Sequence, residues 1–558
     1  MKDKYVVGLE FGTDSARALL VDALTGEELD SEVASYRRWT EGRYIDTAIA
    51  QFRHHPADYI EALEQSVGAI SRRHPEWVGH IVSISVDTTA STPCLVDREG
   101  SPLALREEFS ENPDAMFVVW KDHTGQQEAD EINALLSRQP VNYSLHSGRF
   151  YSVENFWCKV LHALRHSPSL QGAAYSAIEI CDYIPALLTG CKDASKVRMG
   201  RCCAASKMMW AEEWGGYPPA EFFSQLDPLL LPILAHLPKE NFNCETCVGT
   251  LTAEWAARLG LREGILVGAG NVDAHSGGVG GGIGHGVTVM NLGTSACFMS
   301  VMPKEEMGST VVEGIFGQVD GSILSGMIGF EAGLSAFGDD FAWFRRLMLW
   351  PVRNLVAKDT KLDETTRERL LKEAEERLLS EVAREAERLE ITIDSPLATD
   401  WFNGRRNPYP NNSLTAAITG LDLSTSAAQI YYAIAEATAF ATKNCIEHNA
   451  KFGVVTKRLV AIGGIARKAP FVVQLLADAM NMPIDVPDCE QAGSLGSVIH
   501  AAVVAGIYSS VSEAQKVLCK PVMLTYRPDE ARHSLLQRRY KRYRTLGMFS
   551  EVEQKKQY

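Results

Sequence analysis

Short apolar runs alternate with amphipathic stretches from the start of the chain. Residues 5–9, 18–22, 81–86 and 93–96 are dense in aliphatic side chains and bounded by turn formers, which predicts strands. Residues 58–72 instead place Ile60, Leu63, Val67 and Ile70 at helical spacing on one side. A further helix over 255–261, ending near Gly260, passes into a strand over 265–268. This alternation predicts an α/β protein.

One local pattern occurs twice. Leu9-Glu10-Phe11-Gly12-Thr13-Asp14-Ser15 is followed by an apolar run over 18–21, and Asn291-Leu292-Gly293-Thr294-Ser295 by another over 297–299. In each, a strand enters a Gly-Thr turn and a second strand leaves. The repeat suggests two similar domains, each opening with a hairpin. The expected division is 1–262, 263–525 and a helical tail over 526–558 that is basic from 535 and polar at its end. Residues 358–390 are dense in Glu, Arg, Lys and Leu, with Leu371, Ala374, Leu378 and Val382 at helical spacing, which predicts an amphipathic surface helix inserted into the second domain.

Composition narrows the function classes. A net charge of −15 disfavours a nucleic-acid partner. The 12 cysteines are scattered, and the single C-x-x-C at Cys244 and Cys247 has no second copy to complete a four-thiolate zinc site, so free thiols are expected. The opening residues lack a secretory pattern and no apolar stretch approaches membrane-spanning length, so a soluble, cytoplasmic protein is expected. His54-His55 has no metal-ligand spacing with a carboxylate and is expected at the surface.

The chemistry-bearing positions sit at turns. Gly lets backbone approach a phosphate, and Thr and Ser add hydroxyl donors. Gly12-Thr13-Asp14-Ser15 and Gly293-Thr294-Ser295 could therefore grip one triphosphate from both sides, although either turn alone is also an ordinary hairpin. The chain has no G-x-x-x-x-G-K-[ST]. A strand over 459–462 ends in Gly463-Gly464, followed by Lys468 and a helix over 471–480. There a flat adenosine ring could lie against the backbone, or the segment is a plain strand–helix turn. Asp273 follows a glycine turn at the end of a strand, where an α/β sheet presents ligand-binding groups. It either caps the next helix or accepts the proton of an attacking hydroxyl. Glu10 is a candidate for holding Mg²⁺, through water. Glu331 lies in an apolar, small-residue run and needs a partner if buried. Trp120, beside Lys121, Asp122 and His123, suits the apolar face and hydroxyl edge of a sugar, or is simply core; Lys207 could donate to a hydroxyl or be solvated.

These blocks resemble the FGGY family of carbohydrate kinases over nearly the whole chain. The resemblance is carried by residues 8–17, by Asp87-Thr88-Thr89-Ala90-Ser91-Thr92-Pro93, by Asn112–His123, by Gly270–His275, by Met327–Gly333 and by Asp400–Arg406. Within the family they are most similar to the members that act on L-ribulose. The resemblance implies two actin-like, ribonuclease H-like domains with a cleft between them, ATP mainly on the second domain and the pentulose deep in the cleft. Carried over, Asp273 is the base; Lys207, Asp273, Glu331 and the backbone near Ala90 bind the sugar; and Thr13, Gly293, Thr294, Gly463 and Gly464 contact ATP. The implied product is L-ribulose 5-phosphate, in L-arabinose catabolism. The family usually has Asp where this chain has Glu10, one methylene longer, so a water-bridged Mg²⁺ role and a shifted Mg²⁺ requirement are expected.

The expected partners are thus a ketopentose and ATP with Mg²⁺, with no nucleic acid and no membrane; a homodimer is compatible with the sequence. Two alternatives stay open. One is a kinase for another ketopentose or polyol, such as D-ribulose, xylulose or ribitol. The other is a non-catalytic actin-like protein that binds ATP as a switch and needs no sugar pocket.

Overall fold

The two Gly-Thr turns open two sheets of matching order. A computed structural model describes residues 4–359 and 361–555. The first sheet is built from β1 (Tyr5–Phe11), β2 (Ser15–Asp22), β3 (Glu28–Ser35), β4 (Ile81–Thr88), β5 (Cys247–Thr250), β6 (Leu266–Gly268) and β7 (Asn271–Val272). Its order is β5-β6-β4-β1-β2-β3, with β7 also on β4. The second contains β8 (Val287–Leu292), β9 (Ala296–Pro303), β10 (Gly317–Asp320), β11 (Met327–Leu334), β12 (Arg458–Ile462), β13 (Ile484–Pro487) and β14 (Val522–Tyr526), ordered β10-β11-β9-β8-β12-β13-β14. In each, the opening hairpin is antiparallel, a third strand extends it, and the first strand pairs in parallel with a later one, β1 with β4 and β8 with β12. The chain leaves the first sheet only after Val272, past the division expected at residue 262.

The helices that concern function are α1 (Pro56–Arg73), α2 (Phe156–His166), α3 (Arg201–Lys207), α4 (Asp273–Gly280), α5 (Glu364–Glu387), α6 (Ala492–Val504) and α7 (Glu530–Lys555). Alternation along β1 explains how they pack, because successive residues of a strand face opposite sides. Tyr5, Val7, Leu9 and Phe11 enter the core of the first half, where they meet Tyr59, Leu63 and Val67 of α1. Val6 enters a separate core shared with Leu495, Val498 and Ile499 of α6, Val279 of α4, and Val289, Val460 and Ile462 of the second sheet. Helices α4 and α6 thus lie between the sheets. Glycine sets their approach: a Cβ at Gly8 would lie 2.2 Å from Ser494 O, and one at Gly496 1.9 Å from Ser276 O.

One expectation is overturned and two are sharpened. His54 and His55 are buried, not at the surface. His54 sits among Tyr36, Trp39 and Tyr59 with Nδ1 2.6 Å from the Tyr59 hydroxyl, and burial holds its pKa at about 3; His55 accepts from Ala57 N–H at the start of α1. The charged helix spans Glu364–Glu387, starting later than 358 because Asp363 caps it by accepting from Thr366 N–H. The tail helix begins at Glu530 and is anchored: Leu536, Tyr540 and Tyr543 enter the second core, and buried Arg539 donates to Glu436 at 2.6 Å. The polar end over 556–558 lies outside the described residues. Among the described residues, no helix is long and apolar enough to cross a membrane.

Candidate active site

Strand pairing brings carboxylates together at one corner of the cleft. Glu10 on β1 stands in register with Asp87 on β4, and Asp87 in turn with Asn271 on β7, which leads directly into Asp273. Glu10 Oε2 accepts from Arg17 Nη1 at 3.0 Å, Ser494 Oγ at 2.7 Å and Ser494 N–H at 3.2 Å. A Cβ at position 493 would come within 2.9 Å of Glu10 Cδ, so Gly493 makes room for this carboxylate at the start of α6. Asp87 is fully buried. Its Oδ2 accepts from Ser497 Oγ at 2.6 Å, while Oδ1 has no partner among the described residues.

Asp273 is the first residue of α4, not its cap. Val272 occupies the cap position without a side-chain bond, and among the described residues Asp273 Oδ1 accepts only from the adjacent Ala274 N–H, at 2.6 Å. Burial, then the Glu10 charge, raise its pKa to about 7, with Glu331 adding to the rise and Ala274 N–H and Lys207 opposing it. Burial, then Glu10, push Asp87 well above the ordinary carboxylate range. Asp273 thus titrates where a general base works best, near neutral pH.

A second group gathers around Glu331 on β11. Lys207, buried at the end of α3, donates from Nζ to Glu331 Oε2 at 3.3 Å and stands 4.0 Å above the Phe316 ring. His275 Nε2 lies 3.4 Å from the same oxygen, and its Nδ1 is 2.9 Å from Cys202 Sγ. Burial alone would raise the Glu331 pKa; Lys207, His275 and Arg406 together hold it below the ordinary range. The partner that Glu331 needs is therefore Lys207, and neither side chain is solvated.

Trp120 is half-buried, and its Nε1 donates to Thr13 Oγ1 at 3.1 Å, joining the aromatic plate to the first Gly-Thr turn. Its polar neighbours do other work. Lys121 stands over the rings of Trp39 and Phe52, and Asp122 is buried against Arg53 and accepts from Phe52 N–H at 2.6 Å. Helix α2 holds this loop and the one at Ala90: Lys159 Nζ, fully buried, donates to Ser91 O at 2.6 Å and Val119 O at 3.0 Å. Glu179 accepts from Thr92 N–H at 2.7 Å and from Ser91 Oγ.

The Gly-Thr turns match in detail. Gly12 N–H donates to Ser15 O and Gly293 N–H to Ser295 O, both at 3.0 Å. Thr13 and Ser15 are half-buried, Thr294 is exposed, and exposed Asp14 accepts from Trp39 Nε1 at 2.7 Å. Gly463 has φ +91°, and a Cβ there would lie 2.7 Å from Leu292 O, so the Gly-Gly turn nests against the end of β8. At exposed Gly464 a Cβ would meet nothing within 4 Å; Lys468 is exposed at the end of the short helix Gly464–Lys468. The first turn, the second turn and the Gly-Gly turn thus all border open space.

The carboxylate corner fits a hydrated divalent cation. Glu10 raises the proton affinity of Asp87 and of Asp273, and Asp273 adds to the rise at Asp87; Arg17 is the cation paired to Glu10, and a bound cation would relieve that repulsion. Glu10 Oε1 has no hydrogen-bond partner among the described residues and could hold Mg²⁺ directly or through water. No three His, Cys, Asp or Glu side chains among the described residues converge as a protein cage, which Mg²⁺ does not need, since it keeps several waters.

The sequence profile of the C-terminal domain of the FGGY family of carbohydrate kinases matches residues 288–505. A ribulokinase of Vibrio parahaemolyticus is 40% identical over 550 residues, covering 98% of this chain and 96% of that protein. The chain belongs to the FGGY family of carbohydrate kinases. A ribulokinase of Halalkalibacterium halodurans is 33% identical over 561 residues, covering 98% and 95%. Among solved structures, xylulose kinase from Rhodospirillum rubrum superposes with a TM-score of 0.76 at 18% identity, covering 99% of this chain and 100% of that one. Plasmodium falciparum glycerol kinase with ADP gives 0.75 at 14% identity, covering 97% of both. The fold is accordingly the two-domain actin-like fold of FGGY kinases, and the protein is an ATP-dependent sugar kinase.

Several groups at this candidate site of the FGGY kinase carry no mark in the sequence. Asp87 opens the Asp87–Pro93 segment, but only the β1–β4 register shows that it stands beside Glu10. Ser494 and Ser497 are hundreds of residues from their carboxylate partners, and nothing local marks them. Arg406 closes the Asp400–Arg406 segment, and its place beside Trp120 and Phe316 follows from tertiary structure alone.

Proposed function

We propose that this FGGY kinase transfers the γ-phosphoryl group of ATP to the 5-hydroxyl of L-ribulose, giving L-ribulose 5-phosphate in L-arabinose use. The observation that carries the chemistry is the Asp273 carboxylate, half-buried, with a pKa of about 7 that feels the charges of both Glu10 and the Lys207–Glu331 pair. As the new O–P bond forms, Asp273 takes the hydroxyl proton, the bond from the γ-phosphorus to the bridging oxygen breaks, and ADP leaves with that electron pair. Lys207, Glu331, Trp120 and the backbone at Ala90 hold the sugar. The Gly12-Thr13-Asp14-Ser15 and Gly293-Thr294 turns hold the phosphates, and Gly463-Gly464 with Lys468 holds the adenosine end. Mg²⁺, when bound, neutralises phosphate charge, and Glu10 would hold it.

In this reading the first sheet and its additions form the sugar half and the second sheet the nucleotide half. What favours L-ribulose is that relatives matched over nearly the whole chain are named ribulokinases. A coupled ADP-release assay over L-ribulose, D-ribulose, L- and D-xylulose, ribitol and glycerol tests the reading. L-Ribulose should give the highest kcat/KM. A clear preference for another acceptor would replace the substrate, and ATP turnover indifferent to every sugar would sink the kinase assignment to this site.

A further inference from the structure

Arg406 crosses from one half of the molecule to the other. Its loop is built on the second sheet: Asn407 Oδ1 accepts from Gly333 N–H of β11 at 2.8 Å, and Asn407 Nδ2 donates to Gly314 O at 2.9 Å. The side chain reaches Glu154 of the first half, donating from Nη2 to Oε1 at 2.9 Å and Oε2 at 3.1 Å. Glu154 sits just before α2, the helix whose Lys159 pins the loops carrying Ser91 and Trp120. The guanidinium lies 5.1 Å from the Phe316 ring, which Lys207 also covers at 4.0 Å, and 5.9 Å from the Trp120 ring. Both ends of the pair are largely shielded from water, with side-chain exposures of 8% and 13%.

We propose that the Glu154–Arg406 pair is the catch that holds the cleft shut over the sugar, making Arg406 a substrate-positioning residue supplied by the nucleotide half. The proposal rests on reading the space among Trp120, Lys207 and Glu331 as a sugar pocket. An ion pair this shielded is worth keeping only in the closed arrangement, because opening the cleft returns both groups to water, where their attraction is small. Closed, it clamps the Phe316 side of the second half against the Trp120 loop of the first. Arg406 also has a buried Nε–H without a partner among the described residues, a donor that a sugar oxygen could satisfy. Burial opposes the Arg406 charge, but Glu154, Cys297 and Glu331 together more than offset it, so the guanidinium stays charged.

The test is steady-state kinetics and solution scattering on the full chain with Glu154→Gln, Arg406→Gln, the double variant and Arg406→Lys, using whichever sugar the wild type phosphorylates best. If that sugar is not L-ribulose, the substrate reading falls while the catch is still tested. Each Gln variant should raise the sugar KM roughly 10- to 100-fold, as expected for truncating one member of a shielded charge pair. The ATP KM should stay near wild type, and sugar-induced compaction should be lost. The double variant should be little worse than either single one, and Arg406→Lys should recover part of the loss. Wild-type sugar KM and compaction in both Gln variants would overturn the proposal. So would equal rises in the KM for sugar and ATP, which would mark general loss of structure, and Arg406→Lys keeps the question answerable if Arg406→Gln does not fold.

Discussion

Lys207 and Glu331 come from different halves of the molecule and meet at 3.3 Å, with side-chain exposures of 2% and 9%. Removing one member of so buried a pair leaves the other charge without its main partner. Lys207→Met should destabilise the protein by about 3 kcal/mol, the lower end of the usual range because His275 and Arg406 still face Glu331. Urea unfolding measures this directly, and an unchanged midpoint would mean that the pair is not formed in solution. The sugar KM should rise in the same variant while the ATP KM holds.

Asp273→Asn keeps the shape of the side chain and removes its basicity. It should lower kcat by ~10² to 10⁴, the usual contribution of a general base, with ATP binding nearly unchanged. In the wild type, kcat/KM should fall about tenfold per pH unit below about 7, as the carboxylate takes up the proton it must be free of. Turnover of the Asn variant at the wild-type rate would remove Asp273 from the chemistry.

The same raised pKa makes a stability prediction of opposite sense. A folded-state pKa of about 7 against an ordinary 3.8 means that the folded chain binds this proton more tightly than the unfolded chain. The stability that the proton contributes is complete below about pH 4, declines as pH rises and is gone above about pH 7. Asp273→Asn, neutral throughout, should therefore become progressively more stable than wild type from pH 5 to pH 7, with a constant gap above. Thermal melts at pH 5, 6, 7 and 8 check the trend; a gap that shrinks with rising pH would contradict the shift.

Much of this is legible in the sequence. Local pattern placed the strands at Pro93–Val96 and Arg458–Ile462, helix α1 and both Gly-Thr hairpins, because each is encoded by neighbours in sequence. Glu331 stands out as a carboxylate in an apolar, small-residue run, Lys207 after a small-residue stretch, Asp273 after a glycine turn at the end of a strand, and Glu10 just upstream of the first Gly-Thr turn. What stayed hidden depends on register and on distant contacts. Whether Lys207 was solvated or paired could not be settled without Glu331, 124 positions away. His54 reads as a surface residue because its aromatic surroundings, Tyr36, Trp39 and Tyr59, assemble only when β3, the following turn and α1 close around it. Ser494 and Ser497 are ordinary small helix residues until α6 is laid across β1 and β4.

Glu10 raises the Asp273 pKa and is also the candidate Mg²⁺ holder, so one substitution should move two readouts. Glu10→Gln should raise the Mg²⁺ concentration for half-maximal activity by ~10-fold or more, as for loss of an outer-sphere partner. It should also shift the acid limb of the pH–rate profile downward, because one negative neighbour of Asp273 is gone. The sugar KM should change little. An unmoved Mg²⁺ requirement would take Glu10 out of the metal site, while an unmoved acid limb would mean that burial and the other neighbours set the Asp273 pKa without Glu10.

The adjacent glycines 463 and 464 separate fold from nucleotide binding. At Gly463 a methyl group would meet Leu292 O at 2.7 Å in a backbone with φ +91°, so Gly463→Ala should lower Tm and cost activity through the fold. At Gly464 the same methyl group meets no protein atom within 4 Å, and the residue opens a helix, where Ala is favoured over Gly. Gly464→Ala should leave Tm unchanged or slightly raised. If adenosine lies against this turn, the added methyl group occupies its place, and the ATP KM should rise with the sugar KM unaffected. Calorimetry of the empty protein and ATP titration at saturating sugar distinguish the two variants. An ATP KM for Gly464→Ala equal to that of the wild type would place the adenosine elsewhere on the second half.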